Sequence, residues 1–293
     1  MAQQVGLIGV GMMGHGIARN ILKHGHSLSF LVHPGNQPVD DLIAAGAKSE
    51  DSVARLASTS DVIILCVTGS PQVEDVVLRQ DGVLSGLKKG AIVIDCTTAI
   101  PSSTVKIAKS VTEAGGRYLD AAMTRTSKEA EEGRLGLIVG GDAGLFREAE
   151  PMLRCFAEAI VHAGPTGSGH KLKLLHNFVS LGFAALLAEA AAAASHAGVA
   201  PAVFLDVLEK GAGDGVVYKR LKPFIESGDP SGLRFTIGNA LKDLSYYNQM
   251  AGEVRASHLV AEAVRQLYAA AADGGAGGRF VPELVAVLTE AKV

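Results

Sequence analysis

Val5-Gly-Leu-Ile-Gly9-Val-Gly11-Met12-Met13-Gly14 is the stretch whose reading decides the fold. Residues 5–10 form a short apolar run, which reads as a buried strand. A helical pattern follows to about His24. The glycines between them have separate jobs. Gly9 allows the tight turn, Gly11 admits a pyrophosphate close to the backbone, and Gly14 lets the helix lie against the strand. The helix N-terminus then offers free N–H groups and the positive end of its dipole to phosphate oxygens. A dinucleotide site is expected here, with Gly9, Gly11, Met12, Met13 and Gly14 around the pyrophosphate.

Working outward, strand and helix alternate as in a doubly wound α/β sheet. The second strand, 27–32, runs into His33-Pro-Gly-Asn36. A dinucleotide site usually keeps a carboxylate there for the adenosine ribose, or an arginine for a 2′-phosphate. Neither is present, so the pattern does not choose between NAD and NADP. His33 and Asn36 are candidate ribose or phosphate contacts, against a plain Pro-Gly turn. Further strands are expected at 61–67, 91–94, 117–120, 135–139 and 159–162. Val67, Thr68 and Thr98 lie at strand C-terminal ends, where open α/β sheets bind ligands. They are candidate cofactor contacts; the rival reading of the two threonines is helix capping. A short charged helix is expected over 129–132. Another is expected over 142–156, with Pro151 able to kink or split it.

Near Gly164 the period changes. Helices are expected at about 168–197, 201–209, 216–226, 236–251, 256–272 and 281–290, parted by glycine-rich breaks. The 293 residues thus divide into a nucleotide-binding domain, 1–164, and a helical domain, 165–293. The formal net charge of −3 carries no basic block, which excludes a nucleic-acid partner. Three cysteines, Cys66, Cys96 and Cys155, are too few and too odd in number for a disulfide framework. They point to the cytoplasm. The N-terminus has no basic leader. The apolar run 178–194 approaches membrane-spanning length, but it holds Glu189, continues a polar helix start and reads as a core helix. No His, Cys, Asp and Glu cluster has metal-binding spacing, so no metal is expected.

The long helix opens with Gly167-Ser-Gly-His170-Lys-Leu-Lys173-Leu-Leu-His176-Asn177. Lys173 and Asn177 are four apart, on one helix face. An ammonium and an amide so placed can hold one oxygen atom, and Lys173 can give or take its proton. The bland alternative is an exposed helix lysine.

Four motifs in order and spacing make the whole chain resemble the β-hydroxyacid dehydrogenase family. They are residues 6–14, Asp120-Ala-Ala-Met-Thr124-Arg125-Thr126, Gly169-His-Lys-Leu-Lys173-Leu-Leu-His176-Asn177, and Lys242-Asp243-Leu244. The resemblance implies an N-terminal Rossmann domain joined through a long helix to an all-α domain. It also implies a homodimer or homotetramer; from the core-helix reading of 178–194, no membrane partner is expected. The implied activity is hydride transfer between NAD or NADP and a short 3-hydroxy acid or its semialdehyde. Lys173 and Asn177 would be catalytic, and Lys242 would lie by nicotinamide or substrate. Thr124, Arg125, Thr126 and His176 would meet a small anionic substrate.

Two departures stand out. The family's Asp-Ala-Pro-Val-Ser-Gly-Gly has become Thr-Arg-Thr at its end, which resembles the sulfolactaldehyde reductase branch. A guanidinium fork suits a carboxylate, sulfonate or phosphate; the rival reading pairs Arg125 with Glu129 or Glu131. The first asparagine of the usual pair is His176. For Lys242 the rival is an ion pair with Asp243 or Glu253. Competing functions are an imine reductase, whose members generally lack the lysine, and a non-catalytic nucleotide-binding sensor, which would not need Lys173 and Asn177.

Overall fold

The computed structural model describes residues 2–291. The described chain divides into two compact units, residues 1–173 and 174–293. This division by packing falls inside the long helix, and the last strand ends at Gly164.

The first unit opens with β1 (Gln4–Ile8), α1 (Gly14–Lys23), β2 (Ser27–Leu31), α2 (Asp40–Ala44), β3 (Lys48–Glu50) and α3 (Val53–Thr59). Then come β4 (Val62–Leu65), α4 (Ser70–Leu78), α5 (Val83–Gly86), β5 (Ile92–Asp95) and α6 (Pro101–Glu113). It closes with β6 (Arg117–Thr124), α7 (Ser127–Glu131), β7 (Leu135–Gly140), α8 (Ala143–Leu153) and β8 (Ala157–Gly164). The eight strands form one sheet in the order β3-β2-β1-β4-β5-β6-β7-β8. All neighbours are parallel except β6 and β7. Strand order reverses beside β1, which places the crevice for a ligand at the C-terminal ends of β1 and β4.

Side-chain alternation splits the core in two. Leu7, Phe30, Ile64 and Ile94 pack on one face of the sheet. Ile8, Leu31, Ile63, Leu65 and Val93 pack on the other. Helices cover both faces, which is why β4 and β5 are buried along their whole length and read as unbroken apolar runs.

Two expectations need correction. The strand expected over 117–120 continues to Thr124, because Ala121, Ala122 and Met123 pair with Val139, Ile138 and Leu137 of β7. The first half of the presumed substrate loop is therefore sheet. Pro151 neither splits nor ends α8, which runs unbroken to Leu153.

The helix α9 (Ser168–His196) is 29 residues long, roughly 40 Å at 1.5 Å per residue. The second unit adds α10 (Pro201–Lys210), α11 (Val216–Ser227), α12 (Ile237–Glu253), α13 (Leu259–Ala271) and α14 (Leu284–Glu290). Its core gathers Leu181, Ala184, Ala185 and Ala188 of α9 around Tyr218, Leu221, Leu244 and Tyr268. Both tyrosine hydroxyls are satisfied: Tyr218 donates to the Leu205 carbonyl at 2.9 Å, and Tyr268 to that of Leu181 at 3.1 Å. By length and composition α9 is apolar enough to cross a membrane. One side of it is core, whereas Leu175, Val179 and Leu186 are exposed. The core-helix reading holds for one face only.

Candidate active site

The glycine turn has the geometry its sequence requires. Gly9 has φ +102°, and a Cβ there would lie 2.3 Å from the Cys66 carbonyl oxygen. A Cβ on Gly14 would lie 1.9 Å from the Gly9 carbonyl oxygen, so α1 starts in backbone contact with the turn. At Gly11 an added Cβ meets nothing within 4 Å. The backbone there borders open space, as the approach of a pyrophosphate demands. No acidic residue stands in the first turn of α1 to oppose an anion. This cradle fits the diphosphate of NAD or NADP. Met12 is exposed, while Met13 is half-buried and packs on the core.

The neighbouring turns are tied down by buried polar groups. Asp95 Oδ2 accepts from the Tyr118 hydroxyl at 2.8 Å, and Oδ1 from the Thr97 N–H at 2.9 Å. Thr97 Oγ1 accepts from the Val67 N–H at 3.3 Å. Burial, then the charges of Asp95 and Asp120, pushes the Tyr118 phenol well up. Tyr118 therefore stays a donor at neutral pH. Burial also pushes the Cys66 thiol to about 12, with Asp95 adding to it. Neither Thr68 nor Thr98 occupies an N-cap position: the N-caps of α4 and α6 are Gly69 and Ile100. His33 is exposed, and its Nδ1 accepts from the Gly35 N–H at 2.9 Å. Asn36 is a stitch: its amide donates to the Leu31 carbonyl at 2.9 Å and its oxygen accepts from the Val10 N–H at 3.3 Å.

The start of α9 is fixed by a residue that sequence reasoning did not single out. Asp120 is fully buried; Oδ1 accepts from the Gly167 N–H at 2.7 Å and Oδ2 from the His170 N–H at 3.0 Å. It thus satisfies two of the orphan donors of the helix from a neighbouring strand. Gly140 and Gly169 make room, because a Cβ on either would stand within 3 Å of the Asp120 carboxylate. The signal was an aspartate inside an otherwise apolar strand. One turn further, Lys173 is half-buried. His170 is fully buried, with Nδ1 2.6 Å from Thr104 Oγ1 on α6. Although three residues from Lys173, it serves packing against α6.

The segment after β6 is less open than its motif implies. Thr124 pairs with Gly136 in the sheet, and a Cβ on Gly136 would collide with Thr124 Oγ1. Thr126 is the N-cap of α7; its N–H donates to Glu129 Oε2 at 2.9 Å and its hydroxyl to the same oxygen at 2.5 Å. Arg125 has φ +76°, a left-handed conformation that costs a non-glycine residue on the order of 1 kcal/mol. Its Nη1 donates to Glu158 Oε2 at 2.6 Å and to the Arg134 carbonyl. The acid that holds Arg125 is therefore Glu158, on β8. Glu129 is engaged in the α7 cap, and Glu131 lies 3.0 Å from both His15 and Arg19. The nearby acids failed as partners because they face α7 and α1.

In the second unit, Asn177 and Asp243 are both buried. Asn177 Nδ2 donates to Asp243 Oδ2 at 2.6 Å, and His176 Nδ1 lies 3.0 Å from Asn177 Oδ1. A carboxylate accepts only, so the amide nitrogen must face Asp243. Lys242 Nζ is 3.1 Å from Asp243 Oδ1 and 5.3 Å from the Tyr246 ring centroid. Lys242 thus pairs with Asp243 within the fourth motif, and the bond from Asn177 to Asp243 ties the third motif to the fourth.

A Gly-rich turn on a doubly wound sheet, followed by a lysine on a helix anchored to that sheet, defines the class of NAD(P)-dependent oxidoreductases. Residues 4–164 match the NAD-binding domain of 6-phosphogluconate dehydrogenase, and residues 167–288 the NAD-binding model of NADP-dependent 3-hydroxyisobutyrate dehydrogenase. The chain is 33% identical over 231 residues to 2-(hydroxymethyl)glutarate dehydrogenase of Eubacterium barkeri, covering 78% of this chain and 76% of that one. It is 32% identical over 198 residues to 2-hydroxy-3-oxopropionate reductase of Escherichia coli, covering 68% and 67%. A 3-hydroxyisobutyrate dehydrogenase structure from Salmonella typhimurium superposes with a TM-score of 0.86 at 25% identity, over 97% of this chain and 99% of that one. The chain belongs to the β-hydroxyacid dehydrogenase family, whose cofactor is NAD or NADP.

Proposed function

We propose that this protein interconverts a short anionic 3-hydroxy acid and its semialdehyde, in the class of 3-hydroxyisobutyrate, tartronate semialdehyde and sulfolactaldehyde. The observation that carries the reading is the amide orientation of Asn177. With Nδ2 committed to Asp243, Asn177 presents a carbonyl oxygen on the helix that bears Lys173 one turn earlier. An acceptor there suits an ammonium better than it suits a substrate carbonyl. Asn177 thus aims the amine, and Lys173 delivers a proton to the carbonyl oxygen in reduction or removes one from the hydroxyl in oxidation. The nicotinamide, when bound, supplies or accepts the hydride. Thr124, Arg125 and Thr126 hold the anionic head, Lys242 is a further contact to substrate or nicotinamide, and His176 steadies the Asn177 oxygen.

Two relatives named for short oxygenated acids support the substrate class. We further propose a homodimer or homotetramer, in which a second copy covers Leu175, Val179 and Leu186 of α9 with Val203 and Val207 of α10, all exposed. The three unpaired thiols support a cytoplasmic setting. The test is oxidation of NADH and NADPH with a panel of small aldehydes bearing carboxylate or sulfonate groups. Turnover confined to anionic aldehydes is expected. Tight cofactor binding with no turnover of any aldehyde would leave a nucleotide sensor in its place.

A further inference from the structure

Arg125 stands where the family's motif has a glycine, and its φ of +76° is the conformation that glycine accommodates. The arginine is therefore carried against a backbone preference. Such a residue persists when its side chain has work to do. Its guanidinium is turned along the sheet end. Thr124 at the end of β6 pairs with Gly136 at the start of β7, which pairs with Ala159 at the start of β8. Arg125 crosses this end to reach Glu158, at the same end of the sheet as the glycine turn.

Glu158 is itself a carboxylate presented to an arginine. The hydrogen bond from Arg125, then its charge, with Arg134 further off, holds that carboxyl below the usual range. Its side chain is 55% exposed, against 33% for Arg125. Released from Arg125, it would face water and still feel Arg134, so the exchange costs little.

Resting on the reading of Arg125 as the anion-binding residue, we infer that Glu158 is an internal stand-in for the substrate's anionic head. It holds Arg125 at the sheet end until a carboxylate, sulfonate or phosphate takes its place. Glu158 thereby sets the apparent affinity for anions, through the fraction of Arg125 that it sequesters. It does so without touching the reacting atoms, so its effect belongs to KM and not to kcat.

The test uses the full chain saturated with reduced cofactor, NADH or NADPH, and 3-hydroxypropanoate as probe. Reduced cofactor and hydroxy acid form a complex that does not turn over, and calorimetry gives its Kd at low ionic strength. Glu158→Gln is expected to tighten that Kd about two- to fivefold, the scale of an exposed ion pair. Arg125→Gly, which suits the local φ, is expected to weaken it roughly tenfold. In the Arg125→Gly background Glu158→Gln should then change nothing. A Kd for Glu158→Gln equal to or weaker than that of the parent overturns the stand-in, while a weakened Arg125→Gly keeps the anion reading. Arg125→Gly binding as tightly as the parent, or a parent that does not bind the probe, overturns the anion reading and the stand-in with it.

Discussion

Asn177 and Asp243 are joined by a 2.6 Å hydrogen bond between buried groups that lie 66 residues apart in the chain. The carboxylate fixes which end of the amide faces where, and Lys242 stands 3.1 Å from its other oxygen. Asp243→Asn removes both constraints while keeping the shape. Two amides can pair in either sense, so Asn177 loses its fixed orientation. We expect kcat to fall roughly ten- to a hundredfold, since a misaimed proton donor forfeits part of its general-acid contribution. Cofactor affinity should stay within a few-fold. Steady-state kinetics and cofactor titration check this; an unchanged kcat would free Asn177 from any aiming role.

Lys173→Ala removes the proposed proton donor without disturbing the anchor of α9, which rests on Asp120 and the backbone of Gly167 and His170. Turnover should drop by about 10²- to 10⁴-fold, with the affinity for NAD or NADP kept. Equal turnover in the variant and the parent would put the proton elsewhere.

These residues differ in how far the sequence betrays them. Gly9, Gly11 and Gly14 announce a turn because only a missing side chain fits it, and a local motif records that requirement. The helices of the second unit fall close to their expected limits because apolar periodicity is also local. The strand β3, Lys-Ser-Glu, is polar, short and at the sheet edge, so it gives no apolar signal. Arg125 and Glu158 meet only because β7 brings β8 alongside the end of β6. Their contact, like that of Asn177 with Asp243, depends on tertiary placement that spacing along the chain does not encode. Asp120 is intermediate: its burial was legible from the apolar run around it, but its partners on α9 were not.

Acid should destabilise the second unit partly through Glu262. Its carboxyl is lowered from the ordinary 4.5 to about 2, by the hydrogen bond from Arg265 first; burial opposes this, and Gln266 and Asn248 add further bonds. A depressed folded-state value means that the stabilisation is fully present above the ordinary carboxylate range. It is lost as pH falls through about 2. Thermal melting followed from pH 6 downward should show Tm falling across this window. Glu262→Gln should flatten the fall, because its amide does not titrate. An equally steep fall in the variant would assign the acid sensitivity to other carboxylates.

Arg125 allows backbone and side-chain effects to be separated. Arg125→Ala deletes the contacts to Glu158 and the Arg134 carbonyl but keeps a Cβ at φ +76°. Arg125→Gly deletes the same contacts and relieves the strain. The contacts cancel in the comparison, leaving the left-handed penalty of about 1–2 kcal/mol against the extra unfolded-state freedom of glycine, about 0.5–1 kcal/mol. Arg125→Gly should therefore be more stable than Arg125→Ala by roughly 0.5–1 kcal/mol, measured by denaturant unfolding of the cofactor-free protein. Both should bind an anionic substrate equally poorly. If Arg125→Ala were the more stable of the two, the turn would have relaxed out of the left-handed region once the guanidinium was gone. The conformation would then be imposed by the Glu158 pair rather than inherited from a glycine turn.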